Sequence, residues 1–299
     1  MRRIKGGIAF FDSGIGGLTV MHACRKRLPN VLFYYYGDNT HAPYGNLPVE
    51  KIKKYVWRAF KLFKKLEVSA VVVACNTVTA VCVEELRASF SFPIIGAEPA
   101  VFSAARIGGE VLILTTRATY ESSRFRHLCD NARRVYSARL KPYPCDGLAG
   151  VIEKHLLVDN FDYTSLLPKM KPNVVVLGCT HYLYVAKQIA DFYQCPVVDG
   201  NQGLARQLEV VLRENNLSCE HLQPPNDPFQ PFVGDWVGQG SVEAKKRLAK
   251  KVKKRRFLTL FFSKRRKGRK VSNYKGLRGI IFLGNCRKYN KNKYEHLFM

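Results

Sequence analysis

The sequence predicts an α/β fold with mainly parallel sheets flanked by helices, built as two similar halves. Two observations carry that prediction. Short apolar or β-branched runs alternate with stretches of helical period from residue 8 to residue 215. Two of those runs are also alike, Val71-Val72-Val73-Ala74-Cys75-Asn76-Thr77 and Val174-Val175-Val176-Leu177-Gly178-Cys179-Thr180-His181, starting 103 residues apart. Each is a run of the buried parallel type, then a Cys with a Thr within two residues of it. Open α/β sheets bind their ligands at the C-terminal ends of their strands. Two halves built this way deliver one thiol each.

In chain order, strands are expected at 8–11, 32–36, 70–74, 94–96, 111–115, 174–177 and 197–199. Helices are expected at 16–27, 48–66, 78–90, 119–132, 182–193 and 203–215. The clearest helix is 48–66. Pro48 suits a first turn, and Ile52, Val56, Ala59, Phe63 and Leu66 share one face. The Pro-rich stretch 223–228 reads as a loop, a last helix is expected from Val242, and 257–262 is a stray strand candidate.

At 299 residues and 46% hydrophobic content, the chain has ample material for a packed core. Its nine cysteines include no C-x-x-C pair, which argues against a disulfide framework or a zinc ribbon. Reduced thiols in apolar surroundings suit a cytoplasmic protein. The basic start Met1-Arg2-Arg3-Ile4-Lys5 is followed by too few apolar residues for a signal peptide, and no run approaches a membrane span. The net charge of +26 is concentrated at one end: residues 245–299 hold 21 Lys or Arg against one acid, Glu295. Residues 1–244 are only mildly basic.

The first motif, Asp12-Ser13-Gly14-Ile15-Gly16-Gly17, joins a strand to a helix. Glycines there permit close backbone approach, and free N–H groups at a helix start attract an anion. The spacing fits neither G-x-G-x-x-G nor a P-loop. Gly37-Asp38 through Pro43-Tyr44-Gly45 follows the second strand as a polar loop of turn formers. Asn76-Thr77 and Thr180-His181 put polar groups directly after the two cysteines. A helix start and a nearby His lower a thiol's pKa, so both cysteines are candidate acid/base groups, with Asp12 and His181 as proton-handling helpers. Glu153, read from spacing alone, is an exposed helical acid.

Together these motifs resemble glutamate racemase, of the aspartate/glutamate racemase superfamily, over roughly residues 5–250. The match rests on residues 11–20, Gly37-Asp38, Pro43-Tyr44-Gly45, Cys75-Asn76-Thr77 and residues 177–182, with Glu153 after Cys145 and Asp199 before Gly200. Leu183-Tyr184 stands where the family usually has Pro, and 146–150 departs from the family's more apolar stretch. The resemblance implies two pseudo-symmetric α/β domains with the active site between them. Residues 1–97 plus 210–250 would form the first, 98–209 the second, and 251–299 a basic disordered tail. Cys75 and Cys179 would be the catalytic thiols, with Asp12 and His181 as partners and Glu153 as an auxiliary. Asp12, Ser13, Pro43, Tyr44, Gly45, Asn76, Thr77, Thr180 and His181 would hold glutamate. The resemblance implies no cofactor, pyridoxal phosphate included, and no metal. It also implies a bacterial cytoplasm, where D-glutamate serves peptidoglycan and cell-wall synthesis and so cell shape. It admits a homodimer.

Two other readings compete. One is a related racemase acting on aspartate or another amino acid. The other is nucleic-acid binding through the tail, where 253–256 and 264–270 are basic runs and Tyr274, Tyr289 and Tyr294 are potential stacking groups. Set against that is a solvated tail without a binding role, or one that is not a selected segment.

Overall fold

A computed structural model describes residues 2–3, 6–156, 158, 161–218 and 280–283. Two parallel sheets carry the fold. The first contains β2 (Ile8–Asp12), β3 (Phe33–Gly37), β4 (Ala70–Val73), β5 (Ile94–Gly96) and β11 (Ile280–Leu283), in the order β11-β3-β2-β4-β5. The second contains β6 (Glu110–Thr115), β7 (Arg139–Pro144), β8 (Val174–Gly178) and β9 (Val197–Val198), in the order β7-β6-β8-β9. Leaving β11 aside, both sheets place their strands in the order second, first, third, fourth. The chain direction therefore reverses between the first and third strands of each sheet, at the switch point where α/β sheets open a crevice. A small pair, β1 (Arg2–Arg3) and β10 (Leu217–Ser218), is also parallel.

Each sheet is covered on both faces, which is why the inner strands β4 and β8 are apolar throughout. Every residue of β2 and of β8 is buried. In the first sheet Ile8, Phe10 and Val72 face α1 (Gly17–Arg27) and α9 (Asn201–Glu214). Ala9, Phe11, Val71 and Val73 face α2 (Val49–Lys65) and α3 (Asn76–Ser89). In the second sheet Leu112, Leu114, Val175 and Leu177 face α7 (Leu148–His155) and α8 (Ala186–Tyr193). Val111, Ile113, Val174 and Val176 face α4 (Val101–Ile107) and α6 (Ser123–Tyr136). The buried residues of α9, Leu204, Ala205, Leu208 and Leu212, all join the first core. The expected limit between residues 209 and 210 falls inside this helix, which packs as one unit on the first sheet.

Several local expectations change. The helix expected at 119–132 is two helices, α5 (Arg117–Glu121) and α6, because extended Ser122 interrupts it and caps α6 by accepting the Phe125 N–H at 3.1 Å. The helix expected from 182 begins as a 3-10 turn, Thr180–Val185. Strand β7 escaped the sequence reading because Pro142 and Pro144 interrupt it, and prolines are tolerated on an edge strand. Strand β11 corrects the expectation of disorder at four tail positions. Ile-Ile-Phe-Leu between Gly279 and Gly284 is a short β-forming run, and it pairs in parallel with β3 from Ile280↔Phe33 to Leu283↔Tyr36. The rest of 251–299, the candidate strand at 257–262, the helix expected from 242 and the loop at 223–228 lie outside the described residues. Among the described residues no helix is long and apolar enough to cross a membrane.

Phe60 anchors the aromatic side of the first core. Its ring lies 5.5 Å from that of Phe63, 5.3 Å from Phe90 and 6.3 Å from Phe11. Phe60→Ala is expected to cost about 3–5 kcal/mol of unfolding free energy in urea titration. A loss below about 1 kcal/mol would show that this cluster refills the space.

Candidate active site

The strand register builds the site. Asp12 ends β2 opposite Gly37, and Phe11 pairs with Val73, so Asp12-Ser13 and Ala74-Cys75 leave the sheet side by side. In the second sheet Thr115 pairs with Gly178, so Thr116 and Cys179 leave side by side. Each thiol thus follows the third strand of its sheet, next to the tip of the first. Cys75 caps α3 and Cys179 caps the 3-10 turn. Both are buried, as are Asp12, Ser13, Asn76, Thr77, Thr180 and His181.

The two sets of strand tips meet directly. Thr180 Oγ1 donates to Asp12 Oδ1 at 3.2 Å, and the Thr77 and Thr116 hydroxyls lie 2.9 Å apart. Glu153 Oε1 accepts the Ile15 N–H at 3.4 Å and lies 2.7 Å from His181 Nε2. Glu153 is therefore not the exposed acid that spacing alone suggests; the fold of α7 carries it onto His181. Tyr184, one of the departures from the family pattern, donates its hydroxyl to the Ile15 carbonyl at 2.8 Å.

The glycine loop makes this contact possible. A Cβ on Gly14 would lie 1.8 Å from Glu153 Oε1, and one on Gly16 would lie 2.3 Å from Thr180 Oγ1. The close approach expected there is that of the second body's side chains. The expected anion attraction is met by the protein's own carboxylates, since the Gly14 N–H donates to Asp12 Oδ2 at 2.9 Å and the Ile15 N–H to Glu153. The loop at 43–45 also reaches across. A Gly45 Cβ would meet Thr116 Cβ at 2.8 Å, and the Pro43 ring lies beside Gly150. Tyr44 is fully buried and donates to Asp38 Oδ2 at 2.6 Å. Among the described residues the buried Asn76 Oδ1 atom has no hydrogen-bond partner. Thr116 was missed in the sequence reading. Its signal was a Thr pair ending an apolar run, placed in the second half as Asp12-Ser13 is in the first.

The thiols are equivalent in placement and unlike in surroundings. Cys75 Sγ donates to Ser13 Oγ at 3.6 Å. Burial, then the negative charge of Asp12, push its pKa up to about 12, outweighing the helix start that was expected to lower it. Cys75 is therefore held as the neutral thiol. Cys179 Sγ lies 3.8 Å from His181 Nδ1. Burial disfavours the His181 cation, yet its hydrogen bonds to Cys179 and Glu153 and their negative charge hold its pKa well above the ordinary histidine value. Burial likewise raises Asp12 above the ordinary carboxylate range, while the His181 charge and the Gly14 and Gly17 N–H groups pull it back. One thiol faces a hydroxyl and a carboxylate; the other faces an imidazolium.

Similarity to known proteins agrees with this two-sheet α/β fold. Residues 19–208 match the Asp/Glu/Hydantoin racemase family. The glutamate racemase of Clostridium botulinum (strain Okra / Type B1) is 36% identical over 223 residues, covering 71% of this chain and 86% of the relative. That of Clostridium perfringens (strain ATCC 13124) is 36% identical over 230 residues, covering 73% and 88%. Among solved structures, Escherichia coli glutamate racemase in complex with L-glutamate and the activator UDP-MurNAc-ala matches with a TM-score of 0.62 and 28% identity, covering 71% and 83%. Glutamate racemase from Francisella tularensis in complex with D-glutamate matches with a TM-score of 0.61 and 26% identity, covering 73% and 85%.

Because the folded-state pKa of His181 is raised, its proton stabilises the fold fully below the ordinary histidine value of about 6.5, and that stabilisation is lost as pH rises through the raised value. Glu153→Gln is expected to move the His181 titration, followed by imidazole NMR shifts, toward lower pH. The stability gap between wild type and variant is expected to be wider near pH 6 than beyond the titration. An unmoved His181 titration would mean that Glu153 does not hold this charge.

Proposed function

The chain belongs to the Asp/Glu/Hydantoin racemase family, and from that premise we propose that it is a glutamate racemase that interconverts L- and D-glutamate with Cys75 and Cys179 as opposed acid and base. The observation that carries this reading is the pair of buried thiols at equivalent strand tips of two sheets whose tips touch. Inversion needs a base on one face of the α-carbon and an acid on the other. The relatives named glutamate racemase favour glutamate over aspartate. The tail's basic runs lie outside the described residues and carry no part of this reading. D-glutamate is a peptidoglycan precursor, which places the activity in cell-wall synthesis.

The chemistry follows from the surroundings of each thiol. Cys75 holds its proton and Cys179 lies beside the His181 cation, so Cys75 is assigned as the acid and Cys179 as the base. The Cys179 thiolate takes the α-proton of bound glutamate, and Cys75 gives its proton to the opposite face. The products are the inverted amino acid, a Cys179 thiol and a Cys75 thiolate. For the opposite substrate the roles exchange. A positioned acid or base contributes about 10²–10⁴-fold. The rest of the acceleration comes from orientation and from donors aimed at the charge that grows on the α-carboxylate. We assign that role to Ser13, Asn76, Thr77, Thr180, nearby backbone N–H groups and the loop at 43–45. Asp12 acts on Cys75 through its charge, and His181 on Cys179 through its ring.

In heavy water, Cys75→Ser and Cys179→Ser are each expected to lower glutamate inversion by about 10²–10⁴-fold. Wild-type inversion and α-hydrogen exchange surviving in both variants would remove the two-thiol mechanism. Faster inversion of aspartate than of glutamate by the wild-type chain would reassign the substrate.

A further inference from the structure

Asp38 stands outside the residues assigned above, yet it ties the strand tips to the loop at 43–45. It is buried at the end of β3. Its N–H donates to the Asp12 carbonyl at 3.1 Å, and its own carbonyl accepts the N–H groups of His41 and Ala42, both at 3.1 Å. These bonds fold the turn that starts the loop. Its carboxylate then holds two side chains of the same loop. Tyr44 Oη donates to Oδ2 at 2.6 Å, while His41 Nδ1 lies 2.9 Å from Oδ1 and 2.8 Å from Oδ2. The Nδ1–H tautomer of His41 is the one that completes this contact to a carboxylate oxygen. The His41 ring is stacked on Tyr55 of α2 at 3.8 Å with 15° between planes, which closes the cluster from the outside.

We infer that Asp38 is a positioning residue for the substrate, fixing the Pro43-Tyr44-Gly45 backbone against Thr116 through the Tyr44 hydroxyl and the His41 ring. The inference rests on the racemase reading and on the loop at 43–45 as part of the substrate site. Gly45 approaches Thr116 so closely that a methyl group would not fit between them. A small rotation of the loop would therefore move a wall of the site. Buried Tyr44 has Asp38 as the acceptor that fixes its hydroxyl, and a buried hydroxyl stripped of its partner reorients or admits water. Asp38 touches neither thiol by any hydrogen bond of this cluster. Its loss should therefore weaken substrate binding more than the proton transfer.

The test is steady-state racemisation of L- and D-glutamate by Asp38→Ala, Asp38→Asn, Tyr44→Phe and the double variant Asp38→Ala/Tyr44→Phe. Asp38→Ala is expected to raise KM by about tenfold for both enantiomers with kcat within about threefold of wild type. Asp38→Asn keeps a carbonyl for the Tyr44 hydroxyl and is expected to restore most of the affinity. Tyr44→Phe removes the same bond from its other end, so the double variant is expected to be no worse than Asp38→Ala alone. Strictly additive effects, a fall in kcat at unchanged KM, or unaltered kinetics would overturn the inference. Should Asp38→Ala fail to fold, Tyr44→Phe decides alone: a raised KM at held kcat supports it, and an unchanged KM overturns it. A wild-type chain unable to invert glutamate would instead overturn the racemase reading.

Discussion

The carboxylate of Glu153 touches both halves of the molecule at one point. It accepts the Ile15 N–H from the first body and lies 2.7 Å from His181 Nε2 in its own. That single contact requires a glycine at position 14, because any side chain there would occupy the space of the carboxylate. Together with Cys179 it also keeps a fully buried imidazole charged against the cost of desolvation. Without it, His181 would lose the partner that fixes its ring beside Cys179, and the second body would lose a tether on the first. The neighbouring contacts, Thr180 to Asp12 and Tyr184 to Ile15, act across the same seam.

The seam exists because two sheets of the same strand order turn the same ends toward each other. Repetition alone would give two identical half-sites. What differs is the charge placed around each thiol. Asp12 is an acid held above its ordinary range by burial and sits near Cys75. His181 is a base held charged by two acceptors and sits near Cys179. A protonated thiol and a thiol beside a cation form a complementary pair, which a proton transfer across one carbon demands. The symmetry of the backbone sets the placement, and the charged groups beside each thiol set the two apart.

Local pattern made much of this legible. The valine runs before Cys75 and Cys179 read as strands buried on both faces, and both are. The clear 3.6-residue stripe of 48–66 appears as α2. Where local signals were mixed, the reading slipped. Ser122 turned one expected helix into two, Pro142 and Pro144 hid β7, and a four-residue run in a basic tail hid β11. In the site, the thiols and their sequence neighbours could be picked out because each motif is contiguous. Thr116 and the true surroundings of Glu153 could not, since their partners are 39 and 28 residues away.

The sequence by itself determined the alternation of strands and helices, the tip position of each thiol, and the polar groups that accompany it, because these follow from the side-chain period of two or 3.6 and from adjacency along the chain. Only the tertiary structure decided that Glu153 meets His181, that Gly14 and Gly16 make room for the other body, and that Cys75 stays protonated. Each of these depends on groups 28 to 168 residues apart being brought together and cut off from water. A pKa is set by that dry, charged neighbourhood, and no stretch of local sequence contains it.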